Sequence, residues 1–496
     1  MTRLSHTVAR GAAWTYGTSA LVLLAQIAYT ATTSRLIDPA GFGAYATAQA
    51  LTSFVGYFTL SSLGSAVTRA PVLTSVHRWT ALGLASLGGL VGAIGLWLLA
   101  PAWASLWSSP SSVPVVRALV LTTVVSPVGA VCVGLIRRGM RLRVAALVET
   151  FGALGGMVGG LVLVSQWHDA QALALGLGMG AVATGGLAWT MGLGLGRISF
   201  SRAAARSLLS FSTQVSGQNF IYNGVNTAPT LWVSRVAGAS ALGQFSRGSL
   251  IVGLPLTQLA GGCSKSLYPA YAQLQGDAKR MRDAVTDALV TVSGISTVLF
   301  AGLAGCSPVL VPLLLGPRWG TAQALVPAFC VSAAINIVFV ILANAFEAKA
   351  MLSAAWRVQL VLLAALALVL TLTSVTGSPL WLLAGSLGVA YAGAHVVQLM
   401  LASRAGLVDA RRVATAYAVH AMAASLLGGT TWLVAAATAG DGVLMAMCAT
   451  AGTALTLCAL LWWVRGSIPA YRAVRSRGLF PRLVRAEALA EVGGRD

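Results

Sequence analysis

Apolar residues run through this chain in long blocks, each closed by a short polar or Gly/Pro-containing break. A helix crossing a bilayer core needs about 20 mainly apolar residues. The blocks predict helices over 12–33, 42–66, 80–101, 113–135, 144–165, 171–195, 208–234, 241–264, 286–314, 322–346, 357–376, 380–403, 413–438 and 442–464. The breaks carry turn chemistry: Asp38-Pro39 with Gly41 and Gly43, Ser109-Pro110, Gly316-Pro317, Gly377-Ser378-Pro379 and Gly440-Asp441-Gly442. The first block, Ala12 to Thr33, exceeds the roughly 7–15-residue core of a secretory signal and is expected to remain as a membrane helix. The pattern therefore predicts an all-α integral membrane protein with about fourteen transmembrane helices.

Composition supports that class. The chain is 57% hydrophobic and 9% charged, whereas a soluble domain carries roughly a quarter charged residues. The net charge is +20, from 32 Lys and Arg against 12 Asp and Glu. With the N-terminus placed in the cytoplasm, all but five of the basic residues fall at cytoplasmic helix ends, in cytoplasmic loops or in the tail. The five are Arg35, Arg117, Arg235, Arg247 and Arg318. A membrane protein with both termini cytoplasmic is expected. The charge reads as topology rather than as a nucleic-acid surface, because no inner loop is long enough to fold as a binding domain. The basic tail, with Ile468, Tyr471, Leu479, Phe480 and Leu483 interspersed, is expected to lie on anionic lipid.

Enzyme chemistry finds no support. There is no HExxH, P-loop, GxSxG or close carboxylate pair. Cys132, Cys263, Cys306, Cys330, Cys448 and Cys458 sit in or beside apolar blocks and form no CxxC pair, so no metal, cofactor or disulfide framework is expected.

Shifting the chain by 200 residues exposes a repeat. Ser34-Arg35-Leu36 meets Ser234-Arg235-Val236, Gly43 meets Gly243, and Tyr45 meets Phe245. The shift pairs the first six predicted helices with the next six. It also aligns two polar stripes. The seventh span carries Ser212, Ser216, Asn219, Asn223, Asn226 and Thr230 at alternating spacings of four and three, one face of a helix. The first span has Tyr16, Ser19, Leu23, Gln26 and Thr30 at matching places. Gln214, Gln218 and Tyr222 widen the patch. Carboxamides at bilayer depth glue helices together or line a wet cavity; the number here favours a cavity between two lobes.

Three stretches resemble a known family. Arg35-Leu36-Ile37-Asp38-Pro39-Ala40-Gly41-Phe42-Gly43-Ala44-Tyr45 is similar to the Arg-x-Leu-x-Pro-x-x-Phe-Gly-x-Tyr turn of bacterial oligosaccharide flippases. Leu267-Tyr268-Pro269 through Asp277 resembles their Phe-Pro-x-x-Ser-x-x-x-x-Asp segment, with Tyr271 where Ser is usual. Leu315-Gly316-Pro317-Arg318-Trp319 resembles their Leu-Gly-x-x-Trp turn, and Ala348-Lys349 replaces a common Gly-Arg. The family is the Wzx-type polysaccharide transporters of the multidrug/oligosaccharidyl-lipid/polysaccharide exporter superfamily. The resemblance implies a MATE-like fold with lobes at 1–200 and 201–405, an added helix pair at 406–465 and a tail at 466–496. It implies a carrier of polyprenyl-diphosphate-linked oligosaccharide, working beside polysaccharide polymerase and glycosyltransferases, with the lobes rocking about a central site.

An anionic lipid-linked glycan calls for a cation and for amide or hydroxyl groups. Arg247, three residues after Gln244, is the candidate cation, set against snorkelling to the outer interface. Gln218, Asn219, Asn223, Asn226, Gln26 and Ser19 are the candidate hydrogen-bonders. His395, one turn before Gln398, is a candidate coupling residue, set against a packing role. Arg35 and Arg235 are expected to serve helix C-termini, Arg117 to snorkel, and Glu149 to pair with the nearby Arg cluster. Two other readings stand beside the flippase: a multidrug or cation exporter of the same superfamily, disfavoured by the scarcity of deep acids, and a non-transporting scaffold for assembly enzymes.

Overall fold

The computed structural model describes residues 2–59, 62–69, 73–191, 198–377, 379–438 and 443–463. Among them every regular element is helical: α1 (Thr2–Leu36), α2 (Pro39–Phe58), α3 (Leu63–Arg69), α4 (Ser75–Leu106), α5 (Ser112–Arg138), α6 (Leu142–Trp167), α7 (Ala170–Thr190), α8 (Arg202–Gln273), α9 (Ala278–Leu315), α10 (Gly320–Ala348), α11 (Leu352–Val375), α12 (Leu380–Arg404), α13 (Ala410–Thr438) and α14 (Val443–Trp463), with a 3-10 turn at Pro317–Trp319. Nine of these stretches are, among the described residues, long and apolar enough to cross a membrane. The Gly440-Asp441-Gly442 turn and the basic tail lie outside the described residues.

One predicted element differs. The span expected at 42–66 is broken: α2 ends at Phe58 and α3 begins at Leu63. There Thr59 turns its hydroxyl back to the Gly56 carbonyl, 2.8 Å away. The spans expected at 208–234 and 241–264 are present as the two helical arms of α8, separated by a break at Gly238, whose φ of 81° and ψ of 178° leave the helical region. Glycine adopts that φ without the Cβ clash that a side chain would bring. Elsewhere the turn chemistry acts as expected. Asp38 caps α2 by accepting from the Gly41 amide at 2.8 Å, with Pro39 in the first helical position. Gly316, at φ 100°, follows the last residue of α9.

The chain forms two compact units, Met1–Ser246 with Leu314–Arg318, and Arg247–Leu313 with Trp319–Asp496. The sequence repeat turns near residue 200, whereas contacts group the first arm of α8 with the helices before it. In unit 1 the α1–α2 turn and the α8 break meet backbone to backbone. A Cβ on Gly43 would overlap the Ala239 carbonyl, and a Cβ on Gly243 would overlap the Pro39 carbonyl. The 200-residue shift carries one contact onto the other, so the two turns meet about a local two-fold axis. Arginines bind the turns beside this contact. Arg235 donates to the Leu106 carbonyl and to Ser108 Oγ, each at 3.2 Å. The Arg35 side chain lies against Gly316, and Arg318 donates to the Arg35 carbonyl.

Elsewhere in unit 1, α6 and α7 close on a seam of small residues. Gly152, Gly156 and Gly160 face Thr184, Gly180 and Gly176 in antiparallel order, the small-xxx-small pattern of close membrane-helix packing. At the end of unit 1 away from the Gly43 contact, Arg138 donates to the Val67 and Thr68 carbonyls at 3.2 and 3.4 Å. Arg141 donates to the Met191 carbonyl at 2.7 Å, and Arg137 pairs with Glu149 at 2.7 Å.

In unit 2, α13 is held along its length. Arg412 pairs with Asp287 of α9 at 2.8 Å. His420 Nδ1 lies 2.9 Å from Ser293 Oγ, and Gly428 and Thr431 pack on Ala301 and Gly305. His395 of α12 ties the bundle together. Gln398 Nε2 donates to the Phe339 carbonyl of α10 at 3.2 Å, which identifies Oε1 as the atom facing His395 Nδ1 at 3.0 Å. Nδ1 therefore carries the proton, and Nε2 accepts from the Tyr417 hydroxyl of α13 at 3.1 Å.

Two substitution series test this packing. Gly43→Ala and Gly243→Ala should each destabilise the purified protein by about 1–3 kcal/mol, the usual cost of overpacking. Gly83→Ala, where nothing lies within 4 Å of the added carbon, should not. Equal melting temperatures across the three would remove the contact from the account. Gln398→Leu strands the Phe339 carbonyl and His395 Nδ1–H together. It should cost about 1–3 kcal/mol in a thermal melt, and an unchanged melt would show that the chain of hydrogen bonds contributes nothing.

Candidate functional site

The polar stripe lies on the first arm of α8, as its spacing requires. The side chains of Gln214, Ser216, Gln218, Asn219 and Tyr222 lie outside the described residues. Of the rest, Ser212 is buried and pairs with the Ser62 hydroxyl, so this end of the stripe joins helices. Asn223 is half-buried, and its Nδ2 has no hydrogen-bond acceptor among the described residues. Asn226 is exposed and Thr230 half-buried. On α1, Ser19 is exposed, Gln26 half-buried and Thr30 buried.

Beside the stripe stands an aromatic row. A Cβ at Gly224 would lie 3.9 Å from the Phe54 ring. Phe54 packs on Trp103 with ring centroids 6.1 Å apart, and Trp103 on Trp107 at 5.7 Å. Trp103 Nε1 donates to the Thr47 carbonyl at 3.0 Å. Ser234 of α8 donates to the Trp107 carbonyl at 2.9 Å, and its Oγ lies 3.4 Å from Thr47 Oγ1. The row thus borders α8 from Gly224 to Ser234. Like Asn223 Nδ2, the indole N–H groups of Trp107 and Trp232 are buried without an acceptor among the described residues. Buried donors left unpaired are rare enough to call for an explanation. Amide and indole donors beside aromatic faces suit a polyhydroxylated ligand, whose oxygens accept hydrogen bonds while its C–H faces lie on the rings. Trp103 and Trp107 are one helical turn apart, a signal present in the sequence but shared with any aromatic belt at a membrane interface.

The other candidates separate. Gln244 is buried and donates to the Arg318 carbonyl at 2.8 Å, so its amide nitrogen serves the α9–α10 turn. Arg247, one turn along α8, is half-buried. His395 has both ring nitrogens engaged by Gln398 and Tyr417, the geometry of a packing histidine. Arg117 lies over the Trp97 ring at 4.7 Å, a cation–π contact. Among the described residues no group of three or more His, Cys, Asp or Glu could hold a metal ion.

Comparison with known proteins follows the same line. The chain is 24% identical over 331 residues to the lipopolysaccharide biosynthesis protein WzxC of Escherichia coli (strain K12), covering 65% of this chain and 66%, just under two thirds, of that relative. Its fold matches the lipid II flippase MurJ in an inward closed conformation, with a TM-score of 0.68 at 11% identity over 90% of this chain and 98% of that one. It also matches an inward-facing multidrug resistance MATE family transporter of the MOP superfamily, with a TM-score of 0.59 at 14% identity over 78% of this chain and 94% of that one. The fold is therefore that of the MOP-superfamily transporters, a multi-pass membrane protein, as the apolar pattern and the three motifs led one to expect. A family profile described as polysaccharide biosynthesis protein matches residues 33–324, more than half of the chain, and to that family this protein belongs.

Proposed function

We propose that this protein is a flippase that carries a polyprenyl-diphosphate-linked oligosaccharide across the bacterial cytoplasmic membrane for polysaccharide assembly. The observation that carries the reading is the row of Phe54, Trp103 and Trp107 beside the Asn223–Asn226 stripe, in a chain of the polysaccharide biosynthesis family. The aromatic faces and unpaired donors serve the sugars, and Arg247 serves the diphosphate as a guanidinium suited to bidentate phosphate contact. The likeness to WzxC supports a lipid-linked glycan as substrate. Both termini are assigned to the cytoplasm by the basic-residue bias, and the polymerase and glycosyltransferases of the same assembly line are the partners this role implies.

In this reading the Gly43–Gly243 contact is the outer gate. Access alternates when the two turns part and the opposite end closes. A cation-exporting role is the weaker reading, because Glu149 and Asp287 are each paired with an arginine.

The test uses the full chain reconstituted in liposomes with a fluorescent polyprenyl-diphosphate oligosaccharide. Transfer between leaflets is expected. Arg247→Ala should slow it about tenfold or more, the loss of one charge-assisted contact, at unchanged protein abundance. Asn223→Leu should slow it as well. Ethidium efflux without lipid transfer would overturn the reading, and wild-type rates in Arg247→Ala would remove that residue from the site.

A further inference from the structure

Unit 1 holds a cavity of about 460 Å³ among α3, α5, α6 and α7, within the range of about 300–1,000 Å³ common for small-ligand sites. It lies at the end of the unit away from the Gly43 contact, where Arg137 closes α5, just past the apolar span predicted for that helix. Half of its wall is small or apolar, chiefly glycine and alanine, and the other half is polar: Ser65, Thr68, Ser126, Thr184, Arg137 and Glu149.

The hydrogen-bond inventory of that wall is uneven. Thr68 donates its hydroxyl proton to the Gly64 carbonyl at 2.8 Å, and Thr184 donates to the Gly180 carbonyl at 2.9 Å. Each therefore keeps only lone pairs for a ligand. The Ser65 and Ser126 hydroxyls have no partner among the described residues. Arg137 spends one nitrogen, Nη2, on both Glu149 oxygens at 2.7 and 2.8 Å. The pair is about half-exposed, at 49% and 43%, and exposed pairs of this kind contribute little. A ligand with charges of its own can enter between them at small cost.

We propose that this cavity binds an amino-phosphate, the phosphoethanolamine headgroup of a membrane lipid. The phosphate takes the free guanidinium donors of Arg137. The ammonium gives its N–H bonds to Glu149 and the threonine oxygens. Position favours the lipid over a soluble amino-phosphate, since the cavity sits where an apolar span gives way to basic residues. A choline headgroup has no N–H to donate, and a glycerol headgroup lacks the cation that Glu149 calls for. The site is separate from the one proposed for transport.

The full chain, purified free of phosphatidylethanolamine, is titrated with that lipid, with its N-methylated series up to phosphatidylcholine, with phosphatidylglycerol and with soluble glycerophosphoethanolamine, and the melting temperature is followed. The lipid with a primary amine should bind about tenfold or more tightly than the choline and glycerol lipids. Glu149→Gln and Arg137→Gln should each abolish that preference with little change in the lipid-free melt. The double exchange Arg137→Glu with Glu149→Arg keeps an ion pair and should still lack the preference. Equal responses to the three lipids, a preference that survives in both single variants, or full recovery in the double exchange would reduce the pair to a brace between α5 and α6. An equal response to the soluble headgroup would overturn the lipid assignment. Binding and transport are read separately, so neither result decides the other.

Discussion

Two turns that touch through their backbones set the geometry of unit 1. Gly43 lies on the Ala239 carbonyl and Gly243 on the Pro39 carbonyl, and no side chain fits at either place. The contact is self-complementary under a 200-residue shift, so the two turns meet about a local axis within unit 1. Everything around it follows suit. Asp38 caps α2 so that Gly43 is presented inside a helix, Gly238 breaks α8 so that Ala239 can approach, and Arg235 and Arg318 bind the neighbouring turns.

The arginines at those turns belong to a wider pattern. A membrane helix ends in carbonyls that its own backbone cannot satisfy, and hydrocarbon offers no water to take their place. Here basic side chains supply the donors. Arg138 serves the end of α3 and Arg141 the end of α7. Arg235 serves the end of α4, Arg318 the end of α1, and Lys349 the last turn region of α8 through the Gln275 carbonyl. Positive charge also suits the negative end of the helix dipole. These basic side chains thus hold helix ends to neighbouring helices. That accounts for Arg235 and Arg318, which break the basic-residue bias yet lie where helix ends converge.

The sequence made the helices legible because bilayer thickness imposes one length on each apolar run. It made the repeat legible through Ser34-Arg35 and Gly43, although their meaning was not: nothing in a lone glycine says that it meets a carbonyl from two hundred residues away. The break after Phe58 is not marked in the sequence, because Thr59, Leu60, Ser61 and Ser62 hold neither Gly, Pro nor charge. The polar stripe was read from its spacing, but Gln244 proved to serve a turn, a distinction that depends on what lies opposite. The aromatic row was overlooked for a related reason. Trp103 and Trp107 look like interfacial anchors until Phe54 and α8 are placed beside them.

Joined together, these features describe a bare backbone contact between two turns of unit 1, with a stripe of amides and a row of rings beside it, which the proposed flippase uses as its outer gate. The central claim is that this contact parts during each cycle. It is tested most directly by locking it. Thr47 and Ser234, whose hydroxyl oxygens lie 3.4 Å apart, flank the contact on α2 and α8. With both replaced by cysteine in the reconstituted protein, oxidation to a disulfide should stop transfer of the lipid-linked oligosaccharide, and reduction should restore it. Undiminished transfer with the disulfide fully formed would contradict the account.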